Sequence, residues 1–264
     1  MSAALRVSLL GVGVWTPAAP SWMALQALLA GIEPEPQSAP AAQILTPGER
    51  RRAPLSVRLA VEAAAQAIAA SGLDAATVAS VFASAYGDST ITDELARTLA
   101  GAPTQVSPTR FTHSVLNAAA GHWSMATGCR AASSAVCAGE FTFAAGLLEA
   151  ALQAVDARAP VLLVASDIAT VGPLAEVAPI ALPFACALVL APPPADAPRL
   201  RLRTRAATAT ARERLPQQAR AAAWYKQNPC ARSLALLEAL ARGGPSRLRL
   251  ALAPALTLDI EIEA

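Results

Sequence analysis

The sequence predicts an α/β protein whose largely parallel sheet is covered on both faces. Three observations lead there. Short apolar runs alternate with helix-length amphipathic segments from residue 5 to residue 191. Several runs, such as Phe184 to Leu190, are apolar at every position, which suits strands with no side facing solvent. Glycine and proline punctuate the joints. At 264 residues the chain can form one large domain or two small ones.

The elements follow in order. Leu5 to Val14 reads as a buried strand ending in the turn sequence Gly11-Val12-Gly13. Ser21 caps a helix that ends before Gly31. Glu33 to Pro54 holds five prolines and the triplet Arg50-Arg51-Arg52, and reads as an exposed loop. A helix from Leu55 to Ser71 stops at Gly72. Then come strand Val78 to Tyr86, helix Thr92 to Ala100, loop Gly101 to Thr112 and helix Ser114 to Thr127. Strand Ser133 to Cys137, helix Gly139 to Val155 and strand Pro160 to Ser166 complete the alternation. Phe184 to Leu190 adds a strand that Pro192 to Pro194 ends.

The remainder changes character. Arg199 to Arg205 alternates arginine with leucine or threonine, the pattern of a strand with one basic edge or face. Arg212, Arg214 and Arg220 continue the positive bias. A helix is expected at Ala231 to Ala241, then strands at Arg247 to Leu252 and Leu256 to Ile262.

Composition narrows the function classes. A net charge of +2, with no aromatic residues interleaved among basic ones, argues against a nucleic-acid groove. Cys129, Cys137, Cys186 and Cys230 show no C-x-x-C pairing and the two histidines stand apart from most of them, so no metal is expected. Reduced thiols in the cytoplasm follow. Two uncharged stretches, Val7 to Ile32 and Val177 to Ala195, are cut by prolines, so strands and turns are expected there rather than a leader or a membrane span.

The segment Ser107 to Ala150 carries four features in sequence. A proline-containing loop leads into a helix bearing Asn117 to His122; a turn follows from Gly128 to Ser133, then a strand, Ser134 to Cys137, and the head of a long helix, Ala138-Gly139-Glu140-Phe141-Thr142. In this arrangement the chain resembles the part of β-ketoacyl synthases that enters the nucleophile turn. Counting from Gly128, the family's nucleophilic cysteine falls on Glu140, and Cys137 stands three positions too early. Val7 to Pro17 is similar to the family's opening strand, and Asp167 falls near an acidic residue that often follows its next strand.

The resemblance, over residues 5 to 191, implies a thiolase-like layered fold, mainly its N-terminal half with a truncated C-terminal part. Residues 1–195 would form the ketosynthase N-terminal-like domain and residues 196–264 a short extension completing it. It also implies two later histidines that this chain lacks, since His113 and His122 both precede the nucleophile position. The likeness is to the short ketosynthase-like, or chain-length-factor, subunits of bacterial aryl polyene pathways. These imply a heterodimer with an active ketosynthase in polyketide or fatty-acid-type synthesis, an acyl carrier protein as further partner, and no cofactor.

Each nominated residue has two readings. Glu140 is a first-turn acid that suits a helix N-terminus, and it also occupies a dead nucleophile site. Cys137 is either a small hydrophobe in a strand or a displaced nucleophile. His122 reads as a structural hydrogen-bonding residue rather than a base. Arg110, Phe111, His113 and Ser114 gate the partner's acyl pocket on the family comparison, or form an ordinary surface loop. Asn117 belongs to the same stretch, and one of Phe141 and Phe143 is expected to pack beneath it. Arg199, Arg201, Arg203 and Arg205 dock an acyl carrier protein or protect a sheet edge. Three functions therefore compete: a silent ketosynthase partner, an independent acyl transferase or thioesterase using Cys137, and a module that binds an acyl chain or carrier protein.

Overall fold

In the computed structural model, residues 4–193, 197–207 and 213–263 are described. Pro194, the boundary expected at 195/196 and Arg212 lie outside them. The chain opens with strand β1 (Leu5–Trp15), followed by helices α1 (Trp22–Leu29), α2 (Pro47–Arg52) and α3 (Leu55–Ser71). Next are β2 (Ala79–Ala83), α4 (Ser89–Gly101), α5 (Pro108–Ser114), α6 (Ala118–Thr127), β3 (Ser133–Val136) and α7 (Thr142–Ala157). After β4 (Val161–Asp167), α8 (Gly172–Val177) and β5 (Phe184–Ala191) come β6 (Arg199–Ala206), α9 (Ala219–Gln227), α10 (Leu234–Arg242), β7 (Ser246–Ala253) and β8 (Leu256–Glu263). No helix among the described residues is long and apolar enough to cross a membrane.

All eight strands join one sheet in the order β3-β2-β4-β5-β1-β6-β8-β7. Only β2 pairs in parallel, with β3 and β4; the other five pairings are antiparallel. The expectation of a largely parallel sheet is therefore corrected. Fully apolar strands report burial on both faces, and burial is blind to strand direction.

Two apolar layers cover the sheet. On one face α7 contributes Phe143, Leu147, Ala150 and Ala154, and α1 and α10 contribute Leu25, Leu28, Leu236 and Leu237. These pack on Leu163, Leu188, Leu202, Leu250 and Ile260. On the other face α3 lays its alanines over Leu162, Val164, Ala187 and Val189, with Trp123 of α6 beside them. The approach of α3 to β1 requires glycine: a β-carbon on Gly11 or Gly13 would run into the carbonyl oxygens of Ala67 and Ala63.

Local signals set several boundaries. Ser21 accepts from Ala24 N at 3.1 Å to cap α1, and Gly72 ends α3 in the left-handed conformation at φ 69°. The stretch Glu33 to Pro54 is no simple exposed loop, because Thr46 and Glu49 make a reciprocal capping box that starts α2 at Pro47, and Ala42, Leu45 and Ala53 are buried. Gly101 to Thr112 contains the start of α5, capped by Ser107, and Ser114 ends that helix rather than opening the next. The helix expected from Ala231 begins as a tighter turn over Cys230–Ser233. Helices α8 and α9 were not anticipated.

Candidate functional site

The head of α7 is held by a tight turn, Gly139–Phe141, with Gly139 at φ 52°, a conformation that favours glycine. Thr142 Oγ1 donates to Gly139 O at 2.7 Å and accepts from Ala138 N at 3.1 Å, which fixes the turn. Glu140 projects from it with its side chain 61% exposed and meets Arg232 Nη2 at 2.7 Å. The second branch of Arg232 lies 3.5 Å from Glu213 Oε1, and its guanidinium sits 5.8 Å from the ring centre of Tyr225. Tyr86, Lys226 and Asn228 complete a cleft of about 190 Å³. A carboxylate held by a guanidinium has none of the soft nucleophilicity that thioester exchange needs.

Arg232, Glu213 and Tyr225 were missed in the sequence. Arg232 stands 92 positions from Glu140, and no local motif joins them.

Cys137 is placed differently from its main expectation. It lies one residue past β3, exposed, with Sγ donating to Ala85 O at 3.0 Å. The short strand stands at the sheet margin and Cys137 just past it is exposed, so burial as a small hydrophobe does not occur.

Behind the turn, Asp167 ends β4 fully buried. It accepts from Ser84 Oγ at 2.7 Å, Ala85 N at 2.8 Å and Cys230 Sγ at 3.0 Å. Burial pushes its carboxyl up to about 6, although these donors pull the other way. The same burial, with Asp167 alongside, raises the Cys230 thiol well above its ordinary value.

The second candidate region surrounds α5. Arg110 and His113 line a cavity of about 660 Å³ with Arg52, Asp88, Ile91 and Ile168. Arg110 is also paired with Glu94 of α4. Phe111 points outward and is 61% exposed. Ser114 Oγ turns back to Phe111 O at 2.8 Å, and Asn117 is exposed before α6. Phe143 is buried in the core beneath α7, while Phe141 is half-buried at the head of that helix; neither lines this cavity. His113 and His122 face each other with ring centres 5.3 Å apart.

Phe111, Val115, Leu116 and Met125 leave an apolar patch on α5, α6 and their joint. Beside it β3 is an open edge. Ala132 O and Val136 O accept from β2, so the alternate residues Ser133 and Ala135 turn their amides outward. At the opposite margin β7 is covered: Arg214 N donates to Arg249 O, Arg214 Nη1 donates to Arg247 O at 3.2 Å, and Glu213 accepts from Ala251 N.

Arg199, Arg201, Arg203 and Arg205 lie on β6 between β1 and β8, so the edge-protection reading is overturned. Arg201 pairs with Glu261 at 2.9 Å and Arg205 with Asp259 at 2.9 Å, while Arg249 and Arg247 reach the same carboxylates from β7. Cross-strand ion pairs explain the alternation.

Residues 21–247 match the family described as β-ketoacyl synthase, N-terminal domain. The fold is similar to a chain of the ketosynthase ApeO in complex with its chain length factor ApeC from Xenorhabdus doucetiae, with TM-score 0.73 and 22% identity, covering 97% of this chain and 99% of that one. It is similar to a chain of AntDE:AntF, a type II PKS acyl-carrier protein in complex with its ketosynthase bound to the hexaketide, with TM-score 0.74 and 13% identity over 99% of this chain and 100% of that one. The ishigamide ketosynthase/chain length factor gives TM-score 0.72 and 12% identity over 98% of this chain and 99% of that one. Comparison with curated protein sequences gives no match.

Proposed function

The chain belongs to the β-ketoacyl synthase family, matching its N-terminal domain, and from that premise we propose that it is a non-catalytic subunit of the chain-length-factor kind. It pairs with an active β-ketoacyl synthase and shapes the cavity in which a polyene, or related polyketide or fatty-acid-type, chain grows. The observation that carries this reading is the Glu140–Arg232 ion pair at the helix head where a transferable acyl group would need a thiolate. The thiolase-like fold supports it, and so do the open β3 edge and the apolar patch next to it, which offer a second sheet both amides and packing.

Arg110 and His113 line the cavity and are the residues we assign to gating, with the exposed Phe111 available to the partner. An acyl carrier protein is the third component, and Arg199 and Arg203 are its assigned contacts, since Arg201 and Arg205 are engaged by carboxylates. Co-expression with a full-length ketosynthase from the same pathway is expected to give a 1:1 complex. Recovery of two separately stable proteins would count against the assignment.

The exposure of Cys137 favours one other reading, an acyl transferase or thioesterase with that thiol as nucleophile. Its hydrogen goes to a backbone carbonyl, which cannot serve as a base. An acyl adduct lost in Cys137→Ala would establish this second reading.

A further inference from the structure

Helix α5 carries the gating residues and the exposed Phe111, yet none of its seven residues is buried. Such an element sits at the low end of local stability, and few contacts decide where it rests. At its N-terminal half the hold is the Arg110–Glu94 ion pair with α4. At its C-terminal turn the hold is His113 against His122 of α6, with ring centres 5.3 Å apart and planes inclined by 37°. His122 Nδ1 is buried without a hydrogen-bond partner, so the pair rests on ring packing rather than on a fixed donor and acceptor.

We propose that His113 and His122 form a proton-operated release for the α5–α6 face: protonation of the pair drives α5 from α6 and loosens the ketosynthase seated there. This rests on the subunit reading given above.

The surroundings favour the neutral pair. His113 is held below the ordinary histidine range by burial first, with Arg110 acting in the same direction and Asp88 against it. His122 is held below that range by burial first and then by His113, with Glu49 against. Arg52 adds a second cation to the cavity that His113 lines. Both opposing carboxylates are occupied: Asp88 accepts from Ser56 Oγ at 2.6 Å and Ile91 N at 3.0 Å, and Glu49 accepts from Thr46 N at 2.9 Å. A base whose folded form favours neutrality contributes stability above its ordinary pKa of about 6.5, and that contribution is lost as the pH falls through the lowered value. Two imidazolium ions at this separation repel strongly in a partly buried site.

The test measures dissociation of the complex with its ketosynthase at about pH 7.5 and about pH 5.5. The wild-type Kd is expected to rise about tenfold or more, and that of the His113→Gln/His122→Gln double variant by less than about twofold. An equal pH response in the double variant would overturn the release, as would circular dichroism showing the whole fold lost at the lower pH. A partner-free measurement accompanies it: an NMR titration of the imidazoles in the isolated chain. Both are expected to titrate below the ordinary range, and His122 to rise when His113 is glutamine; independent titrations would overturn the coupling. Absence of a complex at every pH would instead remove the subunit reading, and the release with it.

Discussion

Glu140 and Asp167 are both carboxylates, and their surroundings give them opposite roles. Glu140 is largely exposed, so its ion pair with Arg232 is screened and of small energetic weight. Glu140→Ala is therefore expected to change unfolding free energy by no more than about 1 kcal/mol in a urea titration. Asp167 is buried under three donors, and Asp167→Ala leaves them unsatisfied; a loss of about 2–4 kcal/mol is expected in the same assay. Burial raises its carboxyl to about 6, which favours the protonated folded form. Its stabilising contribution is therefore complete below the ordinary carboxylate pKa of about 4, and is lost as the pH rises through the raised value. Urea titrations at a series of pH values are expected to show this decline in wild type and a flatter profile in Asp167→Asn. The position of Glu140 was legible because the count from Gly128 is local. Its partner was not, because Arg232 arrives from a distant turn that only the tertiary fold brings near. Cys137 misled for a related reason: an apolar neighbourhood in sequence does not say whether the fold buries the position.

At the scale of elements, β1 and α3 are pressed together through Gly11 and Gly13. Gly13→Ala is expected to cost more than about 2 kcal/mol, measured by the shift in denaturant midpoint, because a packed helix backbone cannot give way as a side-chain tip would. The limits of α3 were read directly from the sequence, since Pro54 and Gly72 bracket an uninterrupted helical pattern. Helix α5 was read as loop because seven residues with no buried face leave no periodic signal. Sheet order and strand direction were illegible for a different reason: β1, β4 and β5 are apolar on both faces and carry no mark of which neighbour runs which way. Strand β3 yields a sharper prediction. Ala135 turns its amide away from β2, so Ala135→Pro removes an edge donor while sparing the internal ladder. The variant is expected to keep its circular dichroism spectrum and to bind the ketosynthase about tenfold more weakly; unchanged binding would place the partner elsewhere.

On the scale of the whole molecule, β6, β8 and β7 prolong the same sheet that holds the turn, and Arg232 and Glu213 tie the later segment to the head of α7. The result is a layered fold with one margin covered by Glu213 and Arg214 and the other left open at β3. That asymmetry suits a chain built to have another chain beside it. In the proposed complex, the decisive point is which chain holds the acyl group. Intact-mass spectrometry of the co-purified complex, after incubation with an acyl carrier protein thioester, reads this directly. The adduct is predicted on the ketosynthase chain alone, with the mass of this chain unchanged; a covalent acyl group on this chain would contradict the account.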